Sequence, residues 1–536
     1  MQVAQMRADV LIVGGGLGGV AAALAAARAG RSVILTEEFD WLGGQLTSQA
    51  VPPDEHSWIE QFGTTASYRA LRTGIRDYYR RHYPLTERSR SWTDLNPGAG
   101  WVSRLCHEPR VAVAVLEQML APYRGSGRLT VLQPYRPVAA DTDGDRVTGV
   151  TLAHRDREDR IDVTAPYVLD ATETGELLPL TGTEYVTGFE SREQTGEPSA
   201  PAEAQPMNMQ AVSVCFAIDH VDGDHTIDRP AGYDFWRDYK PDFWGDRLLS
   251  WRSPNPRTLE PLERSFTPNP DDEPWLVDAD QRVNPGDGNL WTFRRIAARR
   301  NFVDGAYASD ITLVNWPMID YFEGPVIDVP NASWHLAKAR ELSYSLFYWM
   351  QTEAPRPDGG TGFPGLRLRG DVTGNPAGLA QAPYIRESRR IRAEYTVVEQ
   401  DLSLAVRGEH GAVRYPDSIG VGMYRIDLHP STGGDNYIDV GSCPFEIPLG
   451  ALIPQRMENL LPAGKNIGTT HITNGSYRLH PVEWNVGEVA GLLADFCLAR
   501  GESPRAVRGT PRLLAEFTDR VTAAGVERRW PEIAGY

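Results

Sequence analysis

Lysine is almost missing from this chain. Only Lys240, Lys338 and Lys465 occur among 54 basic residues, and acids outnumber bases to leave a formal net charge of −17 over 536 residues. That balance argues against a nucleic-acid partner or an anionic-membrane surface. The arginine excess reads as genomic base bias rather than as a set of anion sites. Cysteine is sparse too. Cys106, Cys215, Cys443 and Cys497 are scattered and form no C-x-x-C. The pattern indicates neither an iron–sulfur cluster nor a redox dithiol, no metal site is expected, and the usage fits a reducing cytoplasm. Long hydrophobic runs are lacking except at residues 10–29. That run imitates a signal peptide or membrane helix, but its glycines and the acid-ended strand after it favour a nucleotide turn. The expected location is therefore the cytoplasm, with no membrane partner. Hydrophobic residues make up 41% and charged residues 23% of the chain, ordinary values for a globular protein.

What is present is concentrated at residues 8–47, ADVLIVGGGLGGVAAALAAARAGRSVILTEEFDWLGGQLT. Val10–Val13 reads as a buried strand. Gly14, Gly16 and Gly19 then fit G-x-G-x-x-G, with Gly18 inside the motif. The alanine-rich run 20–29 is a strong helix former that Gly30 can stop. The next strand ends at Glu37, followed by Glu38. The three motif glycines serve different physical ends. Gly14 permits the tight turn, Gly16 lets backbone approach a pyrophosphate at the helix N-terminus, and Gly19 allows close helix–strand packing. Glu37 can accept from a ribose diol. The strand before, the helix after and the acid about 20 residues on are the context this motif requires.

The rest of the chain divides by composition. Residues 1–190 read as the first part of a nucleotide-binding domain, with an insertion at 51–103, a helix at 109–123, strands within 128–153 and a strand at 161–171. Residues 191–440 are rich in proline and tryptophan, with eight of the 14 tryptophans between Trp236 and Trp349. This region reads as an inserted α+β substrate domain. Residues 441–500 read as the closing part of the nucleotide domain, with a helix over 486–500, and 501–536 as a helical tail. Gly360, Gly362 and Gly365 repeat the G-x-G-x-x-G spacing but follow APRPDG, and Pro364 disfavours a turn feeding a helix, so they read as a loop.

A second glycine pair, Gly43–Gly44 with Gln45 in WLGGQLT, follows the acid-ended strand. A nicotinamide enzyme has no evident need for it, whereas a flavin passing this loop does. Here the chain resembles FAD-dependent oxidoreductases with the glutathione-reductase type of FAD domain, in a branch distantly related to fumarate reductase flavoproteins. DATETGE at 170–176, PYIRESRRI at 383–391, and LLPAGKNIGTTH followed by RLHPVEWNVGEVAG carry the likeness further. The resemblance implies an α/β, Rossmann-like FAD domain built from discontinuous segments. It implies backbone contact with adenine at Val138, and Ala171 and Thr172 beside the cofactor. Gly464 is expected at the ribityl chain, with Asn485 near the flavin and Gly487 starting a helix that faces its pyrimidine edge. No histidine falls in the first glycine segment, where fumarate-reductase relatives attach FAD covalently, so the FAD is expected to be non-covalent. Lys465 stands where the family often has arginine. The usual Gly–Asp pair of class A flavin hydroxylases is Gly464–Lys465 here.

Oxidation of a C–H bond next to O–H or N–H needs a base and a hydride path to flavin N5. His480 and His471 flank the closing motif and are the candidate bases, against structural roles bridging loops. Gln49, Arg386, Arg478 and Trp316 are the candidate substrate contacts. For Arg386 the competing role is an ion-pair network with Glu387, Arg389 and Arg390. For any one tryptophan it is core packing. The expected function is an FAD-dependent dehydrogenase or oxidase acting on a small polar metabolite, cyclic or sugar-like by the aromatic-rich insertion. Oxygen or an external acceptor would reoxidise the flavin. The alternatives are a monooxygenase using NAD(P)H and oxygen, and a non-catalytic flavin-binding protein. Oligomeric state is not legible.

Overall fold

The computed structural model describes residues 4–272 and 288–533. Trp275 and the last three residues of the expected tail lie outside the described residues. A five-stranded parallel sheet carries the order Leu460–Pro462, Tyr167–Asp170, Val10–Val13, Val33–Thr36, Leu129–Leu132. The fold is α/β and Rossmann-like. Its three central strands are buried at every residue, which is why they read as unbroken apolar runs. A smaller sheet joins Ala4–Arg7, Arg160–Thr164, Arg146–His154 and Tyr135–Asp143. A third, antiparallel sheet orders Arg295–Ala297, Ile311–Val314, Phe216–His220 and Leu366–Leu368. Gly360, Gly362 and Gly365 lie in the loop between the helix Ala332–Thr352 and this sheet's last strand.

Two helices cross beneath the nucleotide turn: Leu17–Arg28, and His480–Arg500. Close backbone approach explains three glycines, and the helix crossing explains the third of them. A Cβ on Gly18 would stand 1.7 Å from Ala463 O, one on Gly19 2.0 Å from Gly14 O, and one on Gly487 2.0 Å from Gly18 O. Gly487 therefore does not start the closing helix, as the sequence suggested. The helix begins at His480, with Pro481 in its first turn and Leu479 as an extended N-cap with no side-chain cap. Pro481 fixes φ for a first turn and needs no N–H there, so the helix starts two turns early. Gly487→Ala wedges the two helices apart and is expected to destabilise the protein by roughly 1–3 kcal/mol, read as a lowered Tm; an unchanged melt would show that the crossing is not tight.

Among the described residues no helix is long and apolar enough to cross a membrane, and no group of His, Cys, Asp or Glu is arranged to hold a metal.

Candidate active site

The two glycine motifs meet. Gly14 turns with φ of 101°, in the left-handed region that favours glycine. Gly43 N–H donates to Gly15 O at 2.8 Å, and a Cβ on Gly44 would stand 2.9 Å from Gly16 Cα. Glu37 leaves the end of its strand to accept from Gly15 N–H at 2.9 Å and Phe39 N–H at 2.8 Å. Burial pushes the Glu37 carboxyl up to about 8 against those two backbone donors, and the nearby Glu173 adds to the rise. Glu38 is also raised by burial, against Arg136 and Arg155. Val138 sits half-buried at a bulge in the strand Tyr135–Asp143. Ala171 N–H donates to Val13 O at 2.8 Å. Thr172 bonds back to Asp170 through both its N–H and its hydroxyl.

Gly16 caps the helix Leu17–Arg28 without a side-chain hydrogen bond. A Cβ there would meet only side-chain tips, Glu173 Oε1 at 3.0 Å and Glu483 Oε1 at 3.3 Å, before Ala171 O at 3.9 Å. At buried Gly464 nothing lies closer than Asn466 Oδ1 at 3.9 Å. Gly18 N–H already donates to Glu483 Oε1 at 3.4 Å, Gln45 donates to the other Glu483 oxygen, and Lys465 pairs with Glu173. Burial lowers the Lys465 ammonium, but the charges of Glu173 and Glu483 raise it overall. The donors a diphosphate needs are the N–H groups of this uncapped helix end and the buried Lys465 ammonium, which Glu483 and Glu173 engage here. The residues fit FAD: Gly14–Gly18 and Lys465 would hold its diphosphate and Glu37 its ribose.

A second polar cluster lies beyond Gln45, whose amide also donates to Arg478 O at 3.0 Å. Arg478 donates to the Tyr384 hydroxyl at 2.7 Å and pairs with Asp427 at 3.2 Å. Its Nε has no hydrogen-bond partner among the described residues, nor has either amide atom of buried Gln49. His471 opens the short helix His471–Tyr477, stacks on Phe189 at 3.7 Å, and holds Glu387 through Nδ1 at 2.9 Å. Glu387 is also paired with Arg390 at 2.5 Å. Burial raises the Glu387 carboxyl, but the charges of His471 and Arg390 outweigh it and hold it at about 2. His471 Nε2 is buried and has no partner among the described residues.

His480 is arranged differently. Its Nδ1 accepts the Asp54 N–H at 3.1 Å, which puts the proton of a neutral ring on Nε2. Burial, with Arg294 and His107 adding to it, lowers its pKa to about 3. His480 thus presents an N–H donor, whereas a neutral His471 ring with Nδ1–H on Glu387 carries its lone pair on Nε2.

The other sequence candidates separate in the same way. Arg386 is spent inside the protein on Ala211 O, Ser213 and Asp320, the last at 3.0 Å. Asn485 donates to Ile419 O at 3.1 Å and leaves its Oδ1 without a partner among the described residues. Most of the candidate tryptophans are packed inside the protein, whereas Trp334 is exposed. Trp236, Trp244, Trp291 and Trp316 are fully buried, and the first three place their indole N–H on Glu341, Arg252 O and Asp310. Trp316 alone of these four keeps an indole N–H without a partner among the described residues. Sequence reasoning missed Arg294 and Tyr384. Tyr384 stands in the PYIRESRRI phrase, which was a signal; Arg294 stands in FRRIAARR, which reads as a solvated charge run.

Comparison with solved structures finds low-identity resemblances. A geranylgeranyl bacteriochlorophyll reductase-like protein from Thermoplasma acidophilum is 11% identical, with 97% of this chain and 84% of that one covered and a TM-score of 0.32. The glycerol-3-phosphate dehydrogenase from Bacillus halodurans, solved with FAD, is 13% identical over 40% of each chain, with a TM-score of 0.24. L-proline dehydrogenase from P. horikoshii is 15% identical, with 35% of this chain and 25% of that one covered and a TM-score of 0.19. The chain thus spans less than half the length of the two dehydrogenases. None of the curated proteins matches. The family model described as FAD dependent oxidoreductase matches residues 9–520.

Proposed function

The chain belongs to the FAD-dependent oxidoreductase family, and from that premise we propose that it oxidises a small polar alcohol or amine bound against the His471–Arg478 segment. It takes a small-molecule substrate and some electron acceptor. Bound FAD would supply the two-electron acceptor chemistry. The observation that carries the reading is the buried pair of Glu387 and His471 with a lone pair left at Nε2. Glu387 accepts the Nδ1–H, fixes the tautomer and stabilises the ring once charged. His471 Nε2 then takes the proton of the substrate hydroxyl or ammonium as the C–H bond breaks. Arg478 and the Tyr384 hydroxyl orient the substrate heteroatoms, and His480 Nε2–H donates to an oxygen that gains negative character. Burial of the cluster excludes water and strengthens each of these contacts. Oxygen or an external acceptor completes the cycle.

The test is anaerobic addition of alcohols, hydroxy acids, amines and NAD(P)H in turn to the yellow holoenzyme. Bleaching of the visible flavin absorption by an organic substrate alone supports the reading, and readmitted air separates oxidase from dehydrogenase. Bleaching by NAD(P)H only overturns it in favour of a monooxygenase.

A further inference from the structure

Arg294 is the most conspicuous group that this mechanism leaves unused. It follows the short helix Leu290–Phe293 and leads into the strand Arg295–Ala297. Its side chain is only 12% exposed, yet Nε and Nη1 have no hydrogen-bond partner among the described residues. The nearest counter-charge, Asp54 Oδ1, stands 3.6 Å from Nη1, too far for a hydrogen bond. The Phe293 ring lies 5.1 Å from the guanidinium. Arg295, the next residue, makes the contrast: it is tied to Gly98 O, Asp272 and Asp310. Two buried guanidinium N–H positions without acceptors are costly, so they are tolerated where an acceptor arrives from outside.

Its position says which acceptor. Asp54 bonds His480 through its main chain while facing Arg294 with its carboxylate. Arg294 also acts electrostatically on Tyr384, the tyrosine that Arg478 holds. Arg294 and Arg478 thus both act on Tyr384 and Asp54, and each keeps an Nε without a partner among the described residues. We infer that Arg294, with Arg478 and Tyr384, binds a carboxylate group of the substrate, so that the compound oxidised is an organic acid. The planar Nε–Nη edge of a guanidinium matches two carboxylate oxygens, and the two unpartnered Nε–H groups are donors that neither Asp54 nor Asp427 takes up. This rests on reading the pocket as the substrate site of the proposed oxidoreductase.

The test titrates FAD-loaded protein with acetate, lactate and benzoate, and with acetamide, lactamide and benzamide, following heat of binding and perturbation of the flavin spectrum. At least one carboxylate is expected to bind about tenfold or more tighter than its amide. Arg294→Gln removes that preference, and Arg294→Lys, which keeps the charge but loses the fork, falls between. Amides binding as well as the acids, no carboxylate binding at all, or an Arg294→Gln protein that binds like wild type overturns the inference. The acid–amide comparison uses wild-type protein alone, so it stands even if a variant folds poorly. Carboxylate binding that leaves the flavin spectrum untouched keeps the anion site and removes the substrate-site reading. Bleaching by neutral alcohols without carboxylate binding does the reverse.

Discussion

Replacing His471 with Gln is expected to lower kcat by roughly a hundred- to ten-thousand-fold, the usual contribution of a positioned general base. KM should move little, because the lost interaction belongs to the proton transfer rather than to ground-state binding. Glu387→Gln should cost less in rate and act through pH. The folded Glu387 carboxyl is held at about 2, below its ordinary value of 4.5, by His471 and Arg390 despite burial. Its stabilising pair is therefore complete above about 4.5 and is lost as pH falls toward about 2. It follows that Glu387 is ionised throughout the working range and is not the group whose protonation cuts activity on the acid side. Removing its charge leaves the imidazolium without a counter-ion, so the acid limb of kcat/KM moves to lower pH in Glu387→Gln. A purely structural role for the pair would lower stability and leave the shape of the profile unchanged. The measurement is the pH profile of kcat/KM for wild type and both variants. An unshifted acid limb, or a His471→Gln enzyme of near-normal kcat, would assign the base elsewhere. His480→Gln is the control: with Nδ1 already occupied by Asp54, its loss removes a donor rather than a base.

The parts of this protein that were legible in sequence are those built from contiguous residues with backbone requirements. Gly14, Gly16 and Gly19 announced the turn because φ, close approach and helix packing each exclude a side chain within a few positions of one another. Glu37 was legible because a strand ends there. The closing helix was placed too late because its N-cap is Leu479, which carries no capping oxygen, and the remaining signal was Pro481. The central antiparallel sheet was illegible in detail. Its strands Phe216–His220 and Leu366–Leu368 pair across a long stretch of chain, and no local pattern encodes that partnership. The roles of the charged residues were the least legible of all. Arg386 and Arg294 look alike in sequence, yet Arg386 is held through its Nη groups by Asp320, Ser213 and a carbonyl with only Nε unpartnered, whereas Arg294 leaves both Nε and Nη1 without a hydrogen bond among the described residues. Only burial and partner geometry separate a structural arginine from one that awaits a ligand.

Gly16→Asp should separate folding from cofactor binding. Gly16 has φ of −61° and ψ of −174°, a conformation open to any residue, and it caps its helix with no side chain. Aspartate is a favoured N-cap, but its carboxylate stands beside those of Glu173 and Glu483, so the apoprotein should stay folded and melt somewhat lower than wild type. The new side chain nevertheless points at the Glu173 and Glu483 tips, into the space beside the free helix N–H groups. A carboxylate there competes for the donors that a diphosphate would use and repels it. One unit charge at about 4 Å and an effective dielectric of about 20 contributes about 4 kcal/mol. Allowing for screening, FAD affinity should fall roughly a hundredfold or more. Gly16→Asn supplies the same shape without the charge and should lose much less, which distinguishes repulsion from crowding. Flavin retained after gel filtration, together with quenching of FAD fluorescence on titration into apoprotein, measures the effect. A Gly16→Asp protein that keeps its full flavin content would move the diphosphate away from this helix end. One that loses flavin and also unfolds would show that Gly16 serves packing, as Gly18 and Gly487 do.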